Sequence, residues 1–345
     1  MFSMVHGPWP RVTNDGTDVA ALEADAQAGR PAGETYGEAV ERLVRDVVTA
    51  QSDAGLDLVT DGQVRWGDPE RFALEAVVAI ADGTREPGFL LDAWQRASVW
   101  TDRPVAQAVP GPYTLGRRVV DGPALARLEV TAGIADTLGR ELAVLQAAGC
   151  PMVIVDEPAA TIIGGDTAER ALFVDAQQRL LAQSPGLHAM LAITGGSALA
   201  AGAGTIFAAP FSSHLFDLIA GPDDWALVRA APAERGIVCA ALRAGPGTSA
   251  DQSPELVWAA HYAASSNRRG LARVGITNAT PLRGLSRRAA KNAAKAIARA
   301  SRFAVMPRAE ALAAGLDPKT FGTKPPLPAP APTPRAVRRK ATRES

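Results

Sequence analysis

The segment Ala148-Gly149-Cys150-Pro151-Met152-Val153-Ile154-Val155-Asp156-Glu157-Pro158 restricts the fold of this 345-residue chain more than any other. It reads as a helix end, a tight turn, a short strand, and two acids where the strand must stop. An unbroken apolar run from Met152 to Val155 suits a strand covered on both faces, as in a parallel sheet flanked by helices. Gly149 supplies a left-handed cap for the preceding helix. Asp156 and Glu157 then stand at the carboxyl end of a strand, where barrel enzymes carry their chemistry. The competing reading is that one acid, Glu157, only caps the next helix. Two acids followed by proline favour a site.

The same alternation of strand and helix runs through most of the chain. Helical patterns cover residues 36–54, 123–148, 167–183, 254–266 and 286–302. The last is basic on one face, with Arg287, Arg288, Lys291, Lys295 and Arg299. Strands are expected at 2–5, 56–60, 105–109, 152–155, 187–191, 205–208, 236–240 and 272–276. Eight strands joined by helices predict an α/β fold, a (β/α)8 TIM-type barrel over residues 1–317. An open doubly wound sheet is the competitor, but no Gly-x-Gly-x-x-Gly turn follows the first strand. Residues 61–100 hold no clean strand and are expected to pack as helices and loop over the barrel mouth. Residues 318–345 form a Pro-rich basic tail, expected to be disordered.

Lys+Arg and Asp+Glu balance at 36 each, which gives no global case for nucleic acid or a membrane surface as partner. The tail departs from that balance: Lys319, Lys324, Arg335, Arg338, Arg339, Lys340 and Arg343 face only Glu344. It could dock a partner or polyanion, although a solvated tail is the simpler reading. Two cysteines, Cys150 and Cys239, fit buried free thiols in a reducing compartment. The amino terminus lacks the basic lead and apolar core of a secretion signal, and no stretch has 18 uninterrupted apolar residues. A cytoplasmic protein acting on a small molecule is expected.

In a barrel, functional residues should follow each strand. His6-Gly7-Pro8-Trp9 follows the first, Asp61-Gly62-Gln63 the second, and Gly111-Pro112-Tyr113-Thr114 the third. Asp156-Glu157 follows the fourth, His188 and Met190 lie in the fifth, Asp217 comes after the sixth, and Asn278-Ala279-Thr280 follows the eighth. Trp9, Trp66 and Tyr113 fall near the presumed mouth, where they could stack on a flat ligand or simply pack.

Taken in order, four of these segments resemble the catalytic carboxy-terminal barrel of cobalamin-independent methionine synthases. Val5-His6-Gly7-Pro8-Trp9-Pro10-Arg11 is similar to the family's opening. Ala54-Gly55-Leu56-Asp57-Leu58-Val59-Thr60-Asp61-Gly62-Gln63 is similar to its Thr-Asp-Gly-Glu segment. Pro110-Gly111-Pro112-Tyr113-Thr114 matches its Gly-Pro-Tyr-Thr turn, and Asp156-Glu157-Pro158-Ala159 its Asp-Glu-Pro-Ala signature. The resemblance extends over about residues 4–303.

It implies methyl transfer from a folate-type donor to a thiol held on zinc, which keeps the sulfur as thiolate. It also implies Asp156, Glu157 and His188 as catalytic residues, with His6, Gly7, Asp61, Gln63, Tyr113 and Thr114 around the substrate. The family's zinc ligands fall on His188, Met190, a position near Asp217, and Thr280. Methionine and threonine are poor zinc ligands, so the alternative set is His188, His214 and Asp217. Gln63 replaces a carboxylate and Pro8 a serine, changes that predict a diverged substrate. Two further readings compete. One is a metal-free lyase or decarboxylase using His6, Asp61 and Asp156 as acids or bases. The other is a catalytically silent binding protein.

Overall fold

The computed structural model describes residues 1–30, 35–245, 252–279 and 281–313. Local signals in the sequence set the helix limits. Helix α1 (Val19–Gln27) starts where the Asp18 carboxylate accepts the Ala20 and Ala21 amides. A reciprocal Thr35–Glu38 capping box opens α2 (Tyr36–Ala54), which stops at Gly55, φ +84°. Its buried face, Val40, Leu43, Val44, Val47 and Val48, follows the helical repeat. Helices α3 (Pro69–Ala81), α4 (Phe89–Ser98), α5 (Pro112–Val119), α6 (Ala124–Ala147) and α7 (Thr167–Leu181) follow. Gly149 turns the chain out of α6 at φ +83°, as its position before the strand predicts. The set closes with α8 (Ala203–Ile206), α9 (Trp225–Ala230), α10 (Ser253–Ser265), α11 (Arg287–Ala304) and α12 (Arg308–Ala313).

Between these helices lie β1 (Phe2–Ser3), β2 (Val59–Thr60), β3 (Val105–Pro110), β4 (Met152–Asp156), β5 (Ala189–Ile193), β6 (Ser213–Asp217), β7 (Gly236–Leu242) and β8 (Val274–Asn278). All ladders are parallel and the order is β1-β8-β7-β6-β5-β4-β3-β2, so the sheet curls in sequence order. No ladder joins β1 to β2. At that seam the Asp57 and Leu58 amides each donate to the Ser3 carbonyl at 3.1 Å. Alternate residues point to opposite faces. Met4, Leu58, Met152, Ile154, Met190, Leu215 and Val238 fill the inside of the curl. Val109, Val153, Val155, Leu191, Ile193 and Ile237 belong to the core beneath the helices.

Three expectations need correction or limits. The sixth strand is not at 205–208: Gly202 at φ +83° starts a helical turn there, with the Thr205 and Ile206 amides on its carbonyl. The strand is Ser213–Asp217, disguised by a polar start that the fold buries. Residues 61–100 do not form a lid. Helices α3 and α4 pack on the outer wall, where the Trp94 indole donates to the Val105 carbonyl at 2.9 Å. Of this segment, Gln63 and the start of α3, Asp68 to Glu70, reach the mouth. The Pro-rich tail, with the boundary at 317, lies outside the described residues, and none of the described helices is long and apolar enough to cross a membrane.

Candidate active site at the carboxyl end of the sheet

Parity along β4 decides which acid faces the mouth. Met152, Ile154 and Asp156 share the inner face, so Asp156 projects into a cavity of about 240 Å³. His6, Gly7, Gln63, Thr194 and Arg283 also line it. The His6 Nε2 lies 2.6 Å from Asp156 Oδ1, and the Gln63 amide donates to Oδ2 at 2.7 Å. A carboxylate only accepts, so Nε2 is the donor here, and in a neutral imidazole the lone pair is then on Nδ1. Asn278, ending β8, fixes the His6 backbone: its Oδ1 accepts the His6 amide at 3.0 Å and its Nδ2 donates to the His6 carbonyl at 2.8 Å. Gly7 follows at φ +76°, with no atom within 4 Å of where a Cβ would be.

Glu157 has the opposite parity and the opposite fate. It is fully buried and accepts from the Tyr113 amide (3.0 Å), the Thr114 amide (2.8 Å), the Thr114 hydroxyl (2.6 Å) and the Gln177 amide (2.6 Å). It therefore satisfies the first turn of α5, a helix preceding it in the chain. Gly111 makes room, since a Cβ there would sit 2.2 Å from the Glu157 carboxyl carbon. Tyr113 and Thr114 are thus supports of this carboxyl, not lining residues of the cavity.

Burial pushes the Glu157 carboxyl up to about 7, against the lowering effect of the hydrogen bonds from Thr114, Gln177 and Tyr113. An acid whose value is raised from 4.5 to about 7 takes up a proton on folding between those limits. Its contribution is complete below 4.5 and is lost as pH rises through about 7. Glu157→Gln should flatten that slope in denaturant titrations at pH 5 and pH 8. It should also lower stability by about 1–3 kcal/mol, because the new amide faces N–H donors. An unchanged pH dependence would remove Glu157 as its source.

With this geometry in place, the backbone can be compared with solved structures. No protein-family model matches the chain. A B12-independent methionine synthase from Shewanella sp. W3-18-1, solved in complex with selenomethionine, superposes with a TM-score of 0.67 at 14% identity, covering 90% of this chain and 98% of that one. A protein from Listeria monocytogenes assigned as a vitamin-B12-independent methionine synthase gives 0.66 at 15%, covering 86% and 96%. A methyltransferase from Methanosarcina mazei gives 0.55 at 13%, covering 86% and 94%. The fold is that of cobalamin-independent methionine synthases. At these identities the likeness is one of fold.

On this methionine-synthase fold, the residues expected to bind zinc do not come together. His188 precedes β5 at the amino end of the sheet, where Nε2 meets the Ser213 hydroxyl at 2.9 Å. Met190 is fully buried inside the curl. His214 points outward, its ring packed against Phe207, Phe211 and Phe216, and burial pushes it down to about 3. Asp217 accepts the Gly195, Ile219 and Ala220 amides, tying two loops. Thr280 lies outside the described residues, among which no three His, Cys, Asp or Glu side chains converge as a metal site. This donor set does not fit zinc. Cys150 and Cys239 are buried free thiols, as expected, pushed up to about 11 and about 12 by burial.

Asp61 also turns away from the cavity. It is buried, accepts the Gln63 amide at 2.9 Å, and faces Arg65 at 3.9 Å. Burial raises its carboxyl above the usual range, and its role is to shape the turn that presents Gln63 at φ +50°. Trp9 is buried, and Trp66 stacks on Phe72 at 4.2 Å, so neither offers a face to a flat ligand in the cavity.

Four polar lining residues escaped the sequence reading: Asp68, Glu70, Thr194 and Arg283. Arg283 donates to the Gly67 carbonyl at 2.6 Å, and more weakly to those of Trp66 (3.3 Å) and Gln63 (3.4 Å). It joins the loop after β8 to the loop after β2, while Arg118 pairs with Asp68 and Glu70. No spacing rule links residue 283 to residue 67; only strand order could have suggested it.

Proposed function

We propose that this protein is a methyltransferase of the methionine-synthase kind, with a small amine-bearing acceptor held at Asp156 and no zinc-held thiolate. What carries the reading is the Asp156 carboxylate at the carboxyl end of β4, bound by His6 on one oxygen and Gln63 on the other. Each oxygen keeps a lone pair for an ammonium group. His6, oriented by Asp156, presents Nδ1 as the acceptor of a proton from the attacking group. The methionine synthase from Shewanella was solved with selenomethionine, itself an amino acid, which is consistent with an amino-acid acceptor here. A folate-type donor is implied by the sequence resemblance. Departure from the ordinary substrate is supported by Gln63, which supplies an amide where the resembling segment carries a carboxylate.

A second reading, metal-free lyase chemistry, is favoured by one observation. The cavity holds a His–Asp pair, but none of Trp9, Trp66 and Tyr113 lines it as a platform for a pterin ring. Calorimetric titration with L-homocysteine and L-methionine, alongside analogues lacking the amine, tests the common part. The amino acids should bind at least about tenfold tighter than the analogues, a difference of about 1.4 kcal/mol. Equal affinities would sink the assignment of Asp156 as the amine receptor. Methyl transfer from a folate donor, measured with and without chelator, then separates the two chemistries.

A further inference from the structure

The cavity that holds Asp156 also carries a cation. Arg283 lines it from the loop after β8, while Asp156 lines it from the end of β4. The two charges attract but are not paired with each other. Asp156 is bonded to His6 and Gln63, and the three groups that Arg283 meets are neutral backbone carbonyls.

Gln63 stands between them. Its side-chain amide donates to Asp156 at 2.7 Å, and its backbone carbonyl accepts from Arg283 at 3.4 Å. Leu282, fully buried in the core, anchors the chain one residue before Arg283. The loop that Arg283 grips is itself fixed from the other side. Arg11 donates to the Val64 carbonyl at 3.1 Å, and the Tyr36 hydroxyl donates to the Arg65 carbonyl at 2.7 Å. A guanidinium placed in this way loses little freedom when it takes a ligand.

A guanidinium has five N–H donors, and the three carbonyls occupy three of them. The two contacts at Nη2, 3.3 and 3.4 Å, are longer than an ordinary hydrogen bond, so a charged acceptor displaces little. Burial, then Arg11, push the Arg283 guanidinium below its ordinary value, against Glu23 and Asp68. Each of those acids already serves another guanidinium, Glu23 that of Arg11 and Asp68 that of Arg118. An anion beside Arg283 favours its charged form.

Size and charge select the anion. A cavity of about 240 Å³ is smaller than the roughly 300–1,000 Å³ of pockets that take drug-sized ligands. Asp68, Glu70 and Asp156 also line it, and they repel the second charge of a phosphate. A carboxylate brings one charge and the flat pair of oxygens that a guanidinium matches.

We infer that Arg283 is a specificity-determining residue of the mouth, the receptor for a carboxylate on the same ligand whose amine sits at Asp156. The inference rests on the amine reading of Asp156 and adds the second anchor.

The test is calorimetric titration of the full chain with L-methionine and L-homocysteine, beside the decarboxylated amine and the deaminated acid of methionine. The decarboxylated amine should bind at least about tenfold more weakly than methionine. Arg283→Gln should weaken methionine at least about tenfold more than it weakens the decarboxylated amine, because only methionine presents a group to residue 283. Thermal melting checks the fold. If Arg283→Gln melts early, Arg283→Lys replaces it and should narrow the preference for methionine, since lysine lacks the planar fork. Equal binding of methionine and its decarboxylated amine to the parent overturns Arg283 as receptor and leaves Asp156 untouched. Equal binding of methionine and its deaminated acid, with the decarboxylated amine weaker, overturns the Asp156 reading instead. Equal losses for both ligands in Arg283→Gln mean that Arg283 only ties the loops together, and binding of neither amino acid overturns both anchors. Tighter binding of the aminophosphonate analogue of methionine overturns the assignment to a carboxylate.

Discussion

Replacing Asp156 with asparagine should weaken binding of an amine-bearing ligand by about 30-fold or more, equivalent to about 2 kcal/mol or more. The size follows from what asparagine does to the existing bonds. Gln63 and His6 both present N–H groups to the Asp156 oxygens, at 2.7 and 2.6 Å. An amide can accept one of these with its oxygen, but its NH2 then opposes the other. The variant thus loses the negative charge that attracts the ammonium and disrupts the pair that orients His6. The side chain is 20% exposed, so water tempers the loss toward the lower end of the range. Folding should be little affected, because the mouth is not part of the core. Calorimetry on Asp156→Asn, with melting to confirm the fold, decides the matter. Retained affinity for the amine-bearing ligand would remove Asp156 as its receptor.

The sequence carried the direction of the sheet and most of the helix limits, because those depend on local signals: caps, glycines and apolar repeats. It also placed His6, Gln63 and Asp156 at strand ends. It could not separate Asp156 from Glu157. Adjacent residues at the end of a strand point to opposite faces, and the phase of that alternation is set by tertiary packing. A carboxylate next to a turn therefore reads the same whether it meets a ligand or, like Glu157, the first turn of α5. Phase also explains why His188 and His214 never meet. One lies at the amino end of the sheet and the other on the outer face of β6, although Ser213, the partner of His188, directly precedes His214 in the chain. Arg283 was invisible for another reason, since its partners at residues 63, 66 and 67 lie more than two hundred residues away in the chain.

The largest loss of stability is expected from Glu169→Ala, about 3–5 kcal/mol, and the reason lies in what Glu169 leaves behind. Arg127 is 1% exposed on α6 and reaches both Glu169 carboxylate oxygens, one at 2.6 Å. Its other terminal nitrogen donates to the Gly122 carbonyl at 2.6 Å. The Tyr113 hydroxyl donates to the same carboxylate at 2.6 Å, and burial, then Glu169, raises that phenol above its ordinary value. Without Glu169 a guanidinium stays buried with no counter-charge, apart from whatever water follows it. Removing both charges together, as in Glu169→Leu/Arg127→Met, should recover part of the loss, because no buried charge is left unpaired although the Tyr113 hydroxyl still loses its acceptor. Denaturant midpoints of the single and double variants measure the coupling. The network also bears on the mouth: Tyr113 joins it through its hydroxyl and holds Glu157 through its amide, one residue from Asp156. Glu169→Ala should therefore weaken amine binding as well, but by less than Asp156→Asn. A single variant as stable as the parent would mean that this ion pair contributes nothing to holding α5, α6 and α7 together.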